Sequence, residues 1–273
     1  MEPGIDSAGG SSVEAIPESL FDFAYCRRSD DYLGELAALA APEDWGANGS
    51  VLNNYLHHLF AKLAGDYNAA ASGAERERLM LVRDDAACFN TGLYTERYED
   101  IYCLFEPNRN PGAQPWFLAG FCKASSPRLP EADVLPEPPR FFDDPIELIY
   151  DFRLKIRLNK DHILGDERNL ERIPEALRAP GQRMLLHRAF EGAVAEAERR
   201  AASNYMLAVP QYFNGRIQLL LPLCLTGDQP ELALAIQREN GYYSARTCLT
   251  LDMAYNNARL IARPETAWIK PRP

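Results

Sequence analysis

Between Tyr205 and Arg263 the chain reads YMLAVPQYFNGRIQLLLPLCLTGDQPELALAIQRENGYYSARTCLTLDMAYNNARLIAR, and the fold follows from how this stretch turns back on itself. Asn214-Gly215 and Asn240-Gly241 each stand between apolar runs, and both residue types accept the positive φ that a two-residue hairpin turn demands. The stretch is therefore expected to form a four-stranded antiparallel meander. Such turns set Phe213 opposite Arg216, Gln211 opposite Gln218 and Val209 opposite Leu220, and in the second hairpin Gln237 opposite Ser244 and Ala235 opposite Arg246. Leucines and other apolar residues fall on the reverse. If Leu225 pairs with Leu232 across the loop Thr226–Glu231, the polar faces of the two hairpins coincide. Gln211, Arg216, Gln218, Gln237, Ser244 and Arg246 then share one surface, and small Ala233 and Ala235 leave room above the sheet.

A helix should follow, with Thr250 as N-cap, Asp252 favouring its positive end and Pro264 closing it after Arg263. Leu251, Ala254, Tyr255, Ala258 and Ile261 recur at helical spacing and form its packing stripe. Asp252, Asn256, Arg259 and Arg263 make a second stripe. This is either a solvated face or one whose Asn256 and Arg259 border the site of Arg246. Upstream, Gly181–Ser203 reads as one long helix with a narrow stripe of Leu186, Ala189, Phe190, Ala193, Ala197 and Ala201, and Gly165–Ala179 as loop. From Phe152 to Asn159 apolar residues alternate with Arg153, Lys155 and Arg157, a strand with a cationic face. It suits a charge-protected edge strand or a phosphate contact; Asn159, Asp161 and His162 at its end add hydrogen-bonding and acid/base types.

The N-terminal half begins with Met1–Ile16, poor in large apolar residues and expected to be disordered, so that residues 17–269 form a single α+β domain. A helix from Asp30 to before Pro42 and a second, capped by Ser50 and ending at Gly65, make a helical pair. Strands are expected over Leu79–Val82, Ala86–Leu93, Asp100–Glu106 and Trp116–Lys123. Phe89-Asn90-Thr91-Gly92 suits a bulge, and Glu106–Gly112 a turn around Arg109. Both are turns by default, with Asn90 and Arg109 as candidate ligand contacts, because loop polar groups often carry function. Pro127, Pro130, Pro136, Pro138 and Pro139 mark the connection 125–140 as the candidate sub-boundary.

Composition narrows the function. The chain of 273 residues is 47% hydrophobic, 25% charged and carries a net charge of -10. General duplex-DNA binding is disfavoured, since it rests on many cations meeting phosphates. The helical pair followed by strands has the order of a winged helix, but its second helix offers Asn53, Asn54, His57, His58 and Lys62 instead of a cationic row, so a lid on the sheet is expected. No apolar run is long enough to span a bilayer and the first twelve residues lack a basic-then-apolar pattern, so a soluble, cytoplasmic protein is expected. The six cysteines show no CxxC spacing and read as buried thiols; with His57, His58, His162 and His187 equally scattered, no metal site is expected. Phosphate loops, dinucleotide fingerprints and nucleophile elbows are absent from the sequence. No cofactor is indicated.

Five segments, Phe89–Leu93, Glu106–Gly112, Asn159–Leu164, Tyr212–Gln218 and Leu249–Arg259, together resemble the microbial family of domain of unknown function 3825. The resemblance covers about Phe21 to Ile269 and implies a domain that recurs as a unit; it brings no catalytic residues. The residues themselves suggest two readings. In the first, the polar sheet face binds a phosphate-bearing ligand, a nucleotide or short RNA, with Arg216 and Arg246 clamping phosphate and Arg153 and Arg157 extending the patch. Gln218, Asn90 and Asn256 would read base or sugar, with Arg109, Asn159 and Arg259 at the border. Were the protein an enzyme, His162 with Asp161 is the acid/base pair. In the second, the chain is an interaction or regulatory module that docks a partner protein.

Overall fold

A computed structural model describes residues 15–27, 31–110, 114–179 and 181–270. The tail expected over Met1–Ile16 lies outside them but for Ala15 and Ile16, and Ile16 is pinned through its backbone by both ends of the Asn68 amide at 2.9 Å. In chain order the elements are α1 (Leu20–Phe23), β1 (Ala24–Tyr25), α2 (Tyr32–Leu39), α3 (Ser50–Ala69), α4 (Gly73–Leu79), β2 (Leu81–Val82), β3 (Ala87–Tyr94), β4 (Asp100–Pro107) and β5 (Trp116–Lys123). There follow β6 (Lys155–Leu158), α5 (Lys160–Gly165), α6 (Glu167–Leu170), α7 (Glu175–Arg178), α8 (Arg183–Ser203), β7 (Val209–Phe213), β8 (Arg216–Leu223), β9 (Leu232–Glu239), β10 (Tyr242–Thr250) and α9 (Leu251–Arg259). The protein is α+β, with two mostly antiparallel five-stranded sheets. The chain divides into two compact units, Met1–Glu35 with Phe60–Pro138, and Leu36–Leu59 with Pro139–Pro273.

The first unit holds the sheet β1-β5-β4-β3-β2, in which only the short β1–β5 pair is parallel. Its aromatic core is built around Phe23, whose ring lies 5.1 Å from Phe60, 5.2 Å from Phe105 and 6.0 Å from Trp116. A second cluster of Leu81, Cys88, Tyr102, Leu104 and Cys122 is covered by Leu129, Ala132 and Leu135 of the Pro-rich connection. That connection is anchored: Pro136 O accepts from the Tyr102 hydroxyl at 3.2 Å, and Glu137 N donates to Arg78 O at 2.7 Å. The boundary after Pro138 falls within it. The helix expected to stop at Gly65 runs on to Ala69. A glycine inside a helix costs only about 1 kcal/mol, less than the burial of Leu63, Ala64 and Tyr67 around it supplies.

The second unit holds the sheet β6-β10-β9-β8-β7. One face packs on α8, where Leu186, Phe190, Ala193, Val194, Ala197 and Ala201 meet Leu219, Leu221, Leu223, Leu232, Leu234 and Ile236. Each fully buried Leu or Phe stabilises this interface by about 1.5–3 kcal/mol. At the first turn Asn214 and Gly215 have φ of 49° and 77° and hold Phe213 opposite Arg216. The second turn departs from expectation: only Gly241, at 84°, takes positive φ, not Asn240. Across the intervening loop Leu223, not Leu225, pairs with Leu232, because the Glu231 carboxylate accepts from Leu225 N and Thr226 N and turns the chain there. The two-residue offset leaves the faces in phase.

The remaining differences have local causes. A β-bulge between Ala245 and Thr247 puts Thr247 instead of Arg246 opposite Ala235. Phe152, Arg153 and Leu154, expected within the strand, fall outside it, since Leu154 N bonds Asp151 O in a turn and β6 begins at Lys155. Gly165–Ala179, expected as loop, contains α6 and α7. Asp166 caps α6 through Arg168 N at 2.9 Å, and buried Ile173 and Leu177 tie the segment to the core beneath α8. Helix α9 begins as expected, with Thr250 Oγ1 accepting from Met253 N, but ends at Arg259, where Ile261 N and Ala262 N both turn back to Ala258 O.

Candidate functional site

The registers assemble a polar row across all five strands of the second sheet. Gln211 of β7 stands opposite Gln218 of β8, and Leu219 opposite Ile236 sets Gln218 beside Gln237 of β9. Gln237 stands opposite Ser244 of β10, and the parallel β6 adds Arg157 opposite Ser244. One row nearer the hairpin tips lie Phe213, Arg216, Glu239, Tyr242 and Lys155.

Hydrogen bonds run along the row. Gln211 Nε2 donates to Gln218 Oε1 at 2.7 Å and Gln218 Nε2 to Gln237 Oε1 at 3.5 Å; Gln237 Nε2 and Ser244 Oγ both donate to Glu239 Oε1, at 3.4 and 3.0 Å. One end is closed: Gln211 is buried and accepts from Asn257 Nδ2 of α9 at 3.0 Å. The other end is exposed, and there the Arg157 guanidinium lies 3.9 Å over the Tyr242 ring. Phe213 is 46% exposed at the tip. A hollow of about 560 Å³ near the hairpin tips is lined by residues of both faces, Arg216, Gln218 and Gln237 together with Ile217, Leu219, Ile236 and Tyr243 of the reverse face and the acidic pair Asp143 and Glu147.

The other expected residues go elsewhere. Arg246 is exposed at the bulge, beside Asn159, whose N donates to Ala245 O at 3.0 Å and prolongs the parallel ladder. Arg216 and Arg246 lie two strands and three to four residues apart, roughly 15 Å backbone to backbone. Arg153 is spent on Asp151, bound through Nε and Nη2 at 2.8 Å each, with Arg238 3.6 Å from the same carboxylate. These guanidiniums hold the Asp151 carboxyl down at about 2.

Arg259, expected at the border of the site, is buried instead. Its Nε and Nη2 meet Glu43 at 2.6 and 2.9 Å, and its guanidinium lies 5.1 Å from the Trp45 ring centre and 4.8 Å from that of Tyr55. Burial pushes the Tyr55 hydroxyl up to about 12. Asn256 turns back on its own helix, Nδ2 donating to Asp252 O at 3.0 Å.

Asn90 and Arg109 belong to the first unit. Asn90 is fully buried within β3, at the bulge expected there, where its Oδ1 accepts from Gly92 N at 2.9 Å and its Nδ2 donates to Asp100 at 3.2 Å. His162 and Asp161 are exposed on α5, at the end of β6 away from Lys155 and Arg216 and toward Arg246.

Tyr242, Glu239 and Asn257 were not singled out by sequence, and Lys155 only as one cation of its strand's charged face. Tyr242 follows an Asn-Gly turn and was within reach; Lys155 and Asn257 acquire their places only through long-range pairing. Among the described residues no group of three or more His, Cys, Asp or Glu is gathered as metal ligands would be, and no helix is long and apolar enough to cross a membrane. A family model described as a domain of unknown function (DUF3825) matches residues 36–268. No curated protein and no solved structure matches the chain.

Proposed function

The chain belongs to the DUF3825 family, and from that premise we propose that the polar face of the second sheet binds a phosphate-bearing ligand, a nucleotide or a short single-stranded RNA. The observation that carries this reading is the row from Gln211 to Arg157, open at the end where Arg157 stacks on Tyr242. Single strands and nucleotides are held by cations along the phosphates, aromatic faces under the bases and amides at the base edges. Arg157, Lys155 and Arg216 supply the first, Tyr242 and Phe213 the second, Gln218 and Gln237 the third. Glu239 would accept from a base amino group or a ribose hydroxyl, while its charge disfavours a phosphate at the centre of the row. The phosphate therefore belongs at the Arg157 end. Processing by His162 and Asp161 would require the ligand to run along β6 as far as Arg246.

Fluorescence anisotropy with 5′-labelled hexauridylate, and calorimetry with AMP and ATP, test the reading. At least one ligand should bind, and Arg157→Ala and Tyr242→Ala should each weaken it by about ten- to hundredfold, the effect of losing one stacking platform. If none binds, or the variants bind as the parent does, the reading fails and the interaction module takes its place.

A further inference from the structure

Strand β6 is an edge of the second sheet, with β10 on one side of it and no strand on the other. The register gives the direction of its backbone groups. Asn159 N donates to Ala245 O at 3.0 Å and Ala245 stands opposite Leu158, so in this parallel pair the backbones of Arg157 and Asn159 turn toward β10 and those of Ile156 and Leu158 turn away. Among the described residues nothing bonds the outward N–H and C=O groups of Ile156 and Leu158. Buried backbone groups are nearly always paired, so these belong to a solvated edge. The two sides of the strand differ. Ile156 and Leu158 pack against the core beneath α8 but are only partly buried, and Phe152, just upstream, is 65% exposed. On the other side Lys155 and Arg157 are exposed. A strand laid along β6 would therefore satisfy the outward backbone, cover an apolar side and meet two cations. Opposite charges on facing strands stabilise a pair and like charges destabilise it, so the edge discriminates between occupants. A second copy joined about a twofold axis, Ile156 opposite Leu158, would set Arg157 against Arg157. An extended segment of alternating acidic and apolar residues suits both sides at once.

We propose that β6 docks an extended acidic segment of a partner protein, which adds to the sheet as a further strand, its carboxylates toward Lys155 and Arg157 and its apolar residues beside Ile156 and Leu158. The proposal does not rest on the nucleotide reading, since a base or phosphate on the polar row brings no backbone to the edge. Fluorescence anisotropy of the full chain with a labelled hexapeptide of alternating glutamate and valine, against its lysine–valine counterpart, tests it together with amide hydrogen exchange. The glutamate peptide should bind and the lysine peptide should not. Only alternate amides of an added strand face β6, so N-methylating every second residue should weaken binding by about tenfold or more in one phase and little in the other. Lys155→Glu, at an exposed position, should weaken the glutamate peptide. Exchange at Ile156 and Leu158 should slow when the peptide binds. Failure of the glutamate peptide to bind, equal effects of the two methylation phases, full binding to Lys155→Glu or unchanged exchange at both amides overturns the proposal. Exchange that slows with protein concentration alone makes the occupant a second copy and overturns it as well. None of these readouts depends on hexauridylate, so either reading can fail alone.

Discussion

Arg259 stands on the polar stripe of α9, where helical spacing alone cannot tell a solvated cation from a buried one. Its partner Glu43 is more than two hundred residues away, so only the folded chain reveals the ion pair, with side chains 10% and 6% exposed. Removing one partner of such a pair strands the other charge in a poorly solvated place. Glu43→Ala or Arg259→Ala should therefore cost about 3–5 kcal/mol. Glu43→Leu combined with Arg259→Met should recover most of it; urea denaturation at pH 7 measures both. Asp151 gives a prediction in pH. Its folded pKa, about 2, lies below the unfolded value of about 3.9. Its pairing with Arg153 and Arg238 thus stabilises the protein fully above pH about 4, and that contribution is lost as pH falls toward 2. The urea midpoint of the parent should exceed that of Asp151→Asn at pH 5, and the gap should close by pH 2. A gap independent of pH would show that the charge at Asp151 contributes nothing.

Elements with a local signature were legible, and those defined by distant partners were not. Asn214-Gly215 dictates its hairpin because turn and flanking strands are adjacent in sequence, and Thr250 announces α9 with one side-chain bond. The parallel pairing of β6 on β10 has no such mark, since parallel strands need a long crossover and their register is set by what packs around them. Without it Arg157 reads as an edge cation; with it, as the open end of the polar row. Helices α6 and α7 are four residues each, too short to show a period. Helix α8 shows one clearly, and its fully buried Phe190 is the test of that packing. Phe190→Ala should cost about 3–5 kcal/mol through the cavity it leaves, read as a lower urea midpoint with an unchanged m-value. A loss below 1 kcal/mol would mean that the sheet relaxes into the space.

Over the whole molecule the net charge of -10 opposes any polyanion, so binding at the polar row must rest on a few well-placed cations instead of a general field. Lys155, Arg157 and Arg216 are exposed in its two outer rows. Each cation that neutralises a phosphate of a single strand releases about 0.7 counterion, so three contacts give a slope of about -2 in log affinity against log salt. Hexauridylate titrated across roughly 50–200 mM salt should therefore lose about fifteen- to twentyfold in affinity. Arg157→Ala should make the slope shallower by about 0.7, and Arg153→Ala, whose guanidinium is taken up by Asp151, should leave it unchanged. This contrast separates an ordered contact from diffuse attraction. If every arginine on the face lowered the slope equally, the row would be no more than its charge, and the arrangement of Gln218, Gln237 and Tyr242 around it would have no part in choosing the ligand.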